Sequence, residues 1–272
     1  MSKYSVLISL YKKEKPLYLS LALNSILNQT LPPDQIVIVK DGILTSELEM
    51  VLKEYQEKSP TLFQIVGYEQ NKGLGLALNF GLEYCRNDLV ARMDSDDISR
   101  PERCQKQVEA FNKDPELVII GSSIEEFVGT PKNIISRRVV PTTSEEIYNF
   151  AKRRSAFNHP SVMYKKSKVL EFGGYSNLRR NQDVDLFGRM LYGGCKAKNF
   201  AESLLWFRSD DDLAKRRRSW ENTWSYIATI NRFRKMGYSS FSDLAIVFGA
   251  QTLMFVCPIS LQMWLYRKFL RI

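Results

Sequence analysis

The chain has 272 residues, 44% of them hydrophobic and 25% charged, enough to bury the core of one large domain or of one domain with an appendage. No basic, apolar and small-residue succession of a secretory signal opens it, and Cys85, Cys104, Cys195 and Cys257 stand too far apart for a zinc site or disulfide framework, so a reducing cytosol is expected. The net charge of +9 points to an anionic partner (nucleic acid, anionic lipid or a phosphorylated substrate), and the clusters Lys152-Arg153-Arg154, Arg179-Arg180 and Lys215-Arg216-Arg217-Arg218, grouped near an apolar tail, favour a membrane face.

Ser5 to Tyr11 reads as a buried strand. Pro16 suits a first helical turn, and Leu19, Leu23, Ile26 and Leu27 recur after it at helical spacing up to Asn28. Ile36 to Val39 is a second strand, ending at Lys40-Asp41-Gly42. Ser46 with Glu49 has the spacing of a capping box, opening a helix to about Lys58. Phe63 to Tyr68 is a third strand, Asn71-Lys72-Gly73 opens a helix to about Arg86, and Leu89 to Met93 is a fourth strand. This alternation predicts a parallel sheet flanked by helices.

A helix follows from Arg100-Pro101 to about Asn112. Val118 to Ser122, Glu125 to Val128 and Ile134 to Val140 are shorter strand-like pieces with no helices between them, which predicts an antiparallel or mixed extension of the sheet. Thr143 begins a helix with Glu146 at capping-box distance. A strand at Ser161 to Tyr164, a turn at Gly173-Gly174 and an acidic helix start at Asp183 to Asp185 complete a unit placed at 1–212. The remainder, 213–272, is basic, aromatic and apolar. It is read as a helix over Ser219 to Met236, then an amphipathic or re-entrant stretch over Ala245 to Tyr266 with Trp264 and Tyr266 at lipid headgroups. A soluble packing helix is the competing reading.

The chemistry sits at strand ends. Asp94-Ser95-Asp96-Asp97 brings three carboxylates within four residues, and like charges that close ask for a cation. Magnesium takes carboxylates together with a substrate's phosphates, although a solvated acidic turn would look the same. Gly73-Leu74-Gly75 lacks the third glycine of a dinucleotide fingerprint and follows the third strand, so Gly73 is better read as bringing a helix N-terminus close to a phosphate or to the sheet. Asp41, the 71–73 turn and the acidic knot all lie at C-terminal ends of one inferred sheet and are expected to share a crevice.

Together with Ser5 to Ser9, Val39 to Gly42, Ala77, Asn79, His159 to Met163, Gly173-Gly174-Tyr175 and Asp183-Val184-Asp185-Leu186, these motifs resemble a family 2 glycosyltransferase of the bacterial capsule, exopolysaccharide or lipopolysaccharide type. The similarity spans residue 5 to about 208 and is nearest to the amylovoran-biosynthesis-like subgroup. It implies an α/β, GT-A (Rossmann-like nucleotide-diphospho-sugar transferase) mixed sheet flanked by helices, with a C-terminal helical membrane-associating segment. It also implies a UDP-sugar donor, with Tyr11, Asp41, Lys72, Gly73 and Asp94 at the nucleotide. Asp41 would hold the uracil and Asp94 the ribose or the metal. Asp94 and Asp96 would be the ligands of Mg²⁺ or Mn²⁺, and Asp97 would cap the next turn.

The family usually has Glu-Asp before the last acidic pair. Here the Glu position is Gln182, which removes a neighbouring negative charge and leaves Asp183, rather than Asp185, as the implied catalytic base. A helix N-terminus that favours acids would by itself explain Asp185. The resemblance implies inversion without a covalent sugar-enzyme intermediate. The implied acceptor is a polyprenyl-diphosphate-linked glycan, handled by an enzyme peripheral at the inner face of the cytoplasmic membrane, with no nucleic acid. His159 reads as structural, and Arg208 either reaches the pyrophosphate or lies on the surface. Two other readings are a sugar-phosphate nucleotidyltransferase and a non-enzymatic basic protein. The first needs a glycine-rich loop after the first strand, and Tyr11 to Lys15 has no glycine. The second gives the aspartates no reason to converge.

Overall fold

The computed structural model describes residues 2–209 and 220–257. The apolar runs near the N-terminus become parallel strands β1 (Tyr4–Leu10), β2 (Gln35–Asp41), β3 (Phe63–Tyr68) and β4 (Leu89–Asp94). Helices α1 (Pro16–Leu27), α2 (Ser46–Lys58) and α3 (Leu74–Tyr84) make the crossovers. Side by side the strands run β3-β2-β1-β4, so the chain winds outward from β1 and then returns to set β4 on its other side. Such a reversal of strand order is where open α/β sheets leave a crevice for ligands, beyond the strands' carboxyl ends.

The remaining elements are β5 (Ile98–Ser99), α4 (Arg103–Lys113), β6 (Leu117–Phe127), β7 (Ile134–Arg138), α5 (Ser144–Ala151), β8 (Met163–Lys165), α6 (Lys166–Glu171), α7 (Gln182–Tyr192) and β9 (Lys196–Arg208). They extend the sheet past β4 in the order β8-β6-β9-β5, with β7 also paired to β6. β8 is antiparallel to both β4 and β6, whereas β9 runs parallel to β6, so the extension is mixed as expected.

Four details differ from the sequence expectation. The pieces at 118–122 and 125–128 are one strand, β6, whose polar Ser122 and Ser123 are buried and mark shifts in register against β9. Strand β9 was not foreseen. Its first half alternates exposed Lys196 and Lys198 with buried Ala197 and Asn199, and Asn199 stands where an apolar residue would have shown the pattern. Residues His159–Ser161 form a 3-10 turn, and the strand begins later, at Met163. The α2 cap is Thr45, whose hydroxyl accepts from the Leu48 N–H, while Glu49 pairs with Lys40 at 3.0 Å instead of closing a box with Ser46. The Thr143–Glu146 capping box is present.

Two apolar layers sandwich the sheet. One joins Val6, Ile8, Ile36, Ile38, Ala91 and Met93 to α1, α2 and α4. The other joins Leu7, Val37, Val39 and Val90 to α3, α5 and α7, and it continues into α8 (Trp220–Met236) through Ile230 and Phe233 and α9 (Phe241–Val256) through Val247. Phe233 packs against Gly188 so closely that α7 could carry no side chain there. No helix among the described residues is long and apolar enough to cross a membrane. The Lys215–Arg218 cluster and the tail beyond Cys257, with Trp264 and Tyr266, lie outside the described residues.

Candidate active site

β2 delivers Asp41, 4% exposed, into a ring of donors. Its Oδ1 accepts from the Tyr68 hydroxyl at 2.9 Å and the Lys72 N–H at 2.7 Å; its Oδ2 accepts from Asn71 Nδ2 at 2.9 Å and the Gly73 N–H at 3.1 Å. A carboxylate offers about four lone-pair sites, and all are engaged. The turn so fixed ends at Gly73, the α3 N-cap, with φ +91°, and no atom lies within 4 Å of where a Cβ would stand. Glycine meets that conformation without strain and leaves open space before a helix N-terminus. Lys72 Nζ sits 4.6 Å above the Tyr68 ring.

β4 delivers the acidic turn. Asp94 pairs in register with Ser9 of β1, at the reversal of strand order. Asp94, Asp96 and Asp97 each offer a carboxylate oxygen, all within 4.8 Å of one another. Asp97 is 1% exposed; its Oδ1 accepts the Arg208 N–H at 2.9 Å, while its Oδ2 is buried with no hydrogen-bond partner among the described residues. Burial, then Asp94 and Glu14, push the Asp96 carboxyl up to about 7, and burial, then Asp96 and Asp94, raise Asp97 well above the carboxylate range. An all-oxygen set that carries too much negative charge, with one oxygen unpartnered, fits a hard divalent cation.

Asp41 is not part of this group. It lies beyond β1 from Asp94, two strand spacings across and two residues further along, roughly 12 Å between backbones, and is held by the 71–73 turn. The loop between β1 and α1 joins the acidic turn through Ser95, whose hydroxyl donates to Glu14 Oε2 at 2.6 Å. Tyr11, 39% exposed, begins that loop. Arg208 is neither on the surface nor free to swing. At 3% exposure it donates from Nε to the Asp96 carbonyl at 2.8 Å and from Nη1 to the Gly129 carbonyl at 3.1 Å, with its guanidinium 3.8 Å from the Tyr18 ring. It clamps the backbone of the acidic turn, a task no local motif announces.

The acids of α7 separate cleanly. Asp185 is fully buried and accepts from the Ser176 hydroxyl at 2.6 Å, Arg189 Nε at 3.0 Å and Arg232 Nη1 of α8 at 2.6 Å. Asp183 makes no ion pair among the described residues, and burial raises its carboxyl while the N–H groups of Val184 and Asp183 at the helix start, then Arg92 and Arg138, pull it back. His159 Nε2 lies 3.0 Å from the Tyr175 hydroxyl, and burial lowers the ring's basicity far enough to keep it neutral.

The model of glycosyl transferase family 2 matches residues 5–178. The UDP-Gal:alpha-D-GlcNAc-diphosphoundecaprenol beta-1,3-galactosyltransferase of Escherichia coli is 37% identical over 275 residues, covering 99% of this chain and 97% of its own. The amylovoran biosynthesis glycosyltransferase AmsE of Erwinia amylovora is 35% identical over 265 residues, covering 97% and 98%. Among solved structures, the mannosyltransferase PcManGT of Pyrobaculum calidifontis, in complex with GDP-Man and Mn²⁺, aligns with a TM-score of 0.65 at 14% identity, over 96% of this chain and 78% of that one. At that identity the likeness is one of fold.

Proposed function

The chain belongs to glycosyl transferase family 2, and from that membership we propose that it moves a hexose or N-acetylhexosamine, with inversion, from a UDP-sugar to a hydroxyl of a polyprenyl-diphosphate-linked glycan in the building of a bacterial surface polysaccharide. The observation that carries this reading is the acidic turn at the strand-order reversal, with its unpartnered Asp97 oxygen and the raised carboxyl of Asp96. The carrier-linked acceptor rests on the name of the E. coli relative, and the polysaccharide setting on that of the Erwinia relative.

Asp94 and Asp96 would hold Mg²⁺ or Mn²⁺, which when bound neutralises charge on the departing diphosphate. Asp41 takes the uracil N–H in exchange for one of its present four donors, close to Tyr11. The α3 N-terminus at Lys72 and Gly73 faces the phosphates. Asp183 accepts the proton of the attacking hydroxyl; its raised basicity suits that work, and general-base help of this kind contributes roughly 10²–10⁴-fold. Attack opposite the leaving group completes the transfer in one displacement.

The enzyme would work peripherally at the inner membrane face. Exposed Trp220, Trp224, Phe248 and Leu253 on α8 and α9 support that placement. The decisive experiment is a screen of UDP-sugars with Mn²⁺ or Mg²⁺ and a polyprenyl-diphosphate-linked GlcNAc acceptor, read by UDP release. Turnover that Asp96→Ala abolishes is expected. No turnover with any donor, or an unaffected Asp96→Ala, would end the proposal.

A further inference from the structure

Side chains alternate across a strand, so Val90, Arg92 and Asp94 share one face of β4. Val90 belongs to the apolar layer that also contains Tyr164, Tyr175 and Phe187. Arg92 therefore carries a guanidinium into that layer, where it is 1% exposed. Only Nη2 finds a partner, Asp94 Oδ1 at 2.5 Å; Nε and Nη1 are buried with no hydrogen-bond partner among the described residues. The backbone beneath is pinned, because Arg103 Nη1 donates both to the Arg92 carbonyl at 3.1 Å and to the Pro160 carbonyl at 2.8 Å. If the space needed only filling, methionine would do so without the desolvation of a charge.

The charge of this guanidinium also reaches the base side of the site, where it acts on Tyr175, His159 and Asp183. Asp183 and Phe187 stand one turn apart on the same face of α7. The Phe187 ring packs 5.8 Å from that of His159, which in turn meets the Tyr175 hydroxyl. Of the described residues, the charged and titratable groups that act on Asp183 are Arg92 of β4, Arg138 of β7, Tyr175 in the loop before α7 and Tyr226 of α8. Among the described residues Arg92 is the one of these that also pairs with Asp94.

We propose that Arg92 is a positioning residue for the transfer: a single fixed cation that orients Asp94 on the donor side and supplies the positive field in which Asp183 takes its proton on the acceptor side. The field opposes the burial that raises Asp183, adding to the N–H groups of Val184 and Asp183 that donate to this carboxylate and to the lesser pull of Arg138. The Asp94 bond is directional, since a planar fork with one arm on Oδ1 fixes how the carboxylate presents its other oxygen. The meaning of Asp183 as a base rests on the transferase reading.

The test uses the full chain with Arg92→Met and Arg92→Lys. Asp183 is titrated by NMR on ¹³C-carboxyl aspartate, its resonance assigned by Asp183→Asn, and kcat and donor KM are measured across pH. In Arg92→Met, Asp183 is expected to titrate higher by roughly one unit, and the acidic limb of kcat to follow it. The plateau kcat should fall roughly 10–100-fold, as when other groups that orient metal ligands are removed. Arg92→Lys keeps the charge without the fork, so it should hold the titration near wild type and restore only part of kcat. An Asp183 titration unchanged in Arg92→Met overturns the proposal whatever happens to kcat. If that variant does not fold, Arg92→Gln is judged by the same titration. A wild-type protein that transfers no sugar while the titration moves as expected sinks the transferase reading alone; a working transferase whose Asp183 ignores position 92 sinks this one alone.

Discussion

Asp183 and Asp185 are the same residue type, two positions apart on one helix, and the fold uses them in opposite ways. Asp185 spends both oxygens on Ser176, Arg189 and Arg232, which leaves nothing for a substrate. Asp185→Asn should strand two guanidiniums and cost about 3 kcal/mol in chemical denaturation, toward the low end for broken buried pairs because Arg232 is 39% exposed. Asp183→Asn should leave that stability alone and lower kcat roughly 10²–10⁴-fold, with UDP affinity by calorimetry unchanged. A raised Asp183 also gives the rate its sign, since kcat falls as pH drops through that elevated value. Asp96 carries a stability prediction instead. Folded, it holds its proton up to about 7, whereas unfolded it releases it near 3.8. Between those values the native state binds more protons, so the metal-free protein should lose stability as pH rises through the window. Melting curves across it should show the fall, and Mn²⁺ with UDP should flatten it by occupying the deprotonated site.

At the scale of elements, α7 and α8 meet where Gly188 admits the Phe233 ring, and the contact is a direct measure of how far the C-terminal helices share the catalytic core. Phe233→Ala should cost about 3–5 kcal/mol in urea denaturation if the core is shared, and little if the helices merely lean on it. Gly188→Ala should also destabilise, by overpacking, since the added methyl has no room against the ring. That α8 would dock this way could not be read from its residues, because Ile230 and Phe233 look the same on a membrane-facing helix. The first half of the sheet was legible because strands covered on both faces are unbroken apolar runs between good helix starts such as Pro16. β9 was not, because a buried Asn199, bonded to the Pro141 and Ala156 carbonyls, stands in its inward row. The site followed the same division. Asp41, Gly73 and the acidic turn sit at strand ends and announce themselves. Arg92 and Arg208 act from inside the fold, at positions where a sequence shows only one more basic residue in a chain with a net charge of +9.

For the molecule as a whole, the remaining question is what the outer face of α8 and α9 meets. Trp220 and Trp224 are stacked at 6.2 Å and about half exposed, and Phe241, Ile246, Phe248, Leu253 and Val256 are exposed along α9. Exposed apolar surface of this kind is where an interaction is expected, and under the proposed function the excess of cations over the chain favours an anionic partner. Cutting the chain before α9 would not isolate this surface, because Val247 is in the core and Asp243 pairs with Arg153, so the loss would mix unfolding with release. Point changes on the exposed side keep both contacts. Trp220→Ser with Trp224→Ser should retain the melting temperature and UDP binding while the protein leaves the lipid fraction in flotation with vesicles rich in anionic lipid. Added salt should weaken wild-type flotation in part, since each cation near such a surface gains about 1 kcal/mol and the aromatic contribution is not screened. Flotation unaffected by the double change would assign the two rings to something other than lipid. Equal flotation on neutral and anionic vesicles would remove the role of charge, and with it the argument that this chain's basic excess directs it to the membrane that carries its acceptor.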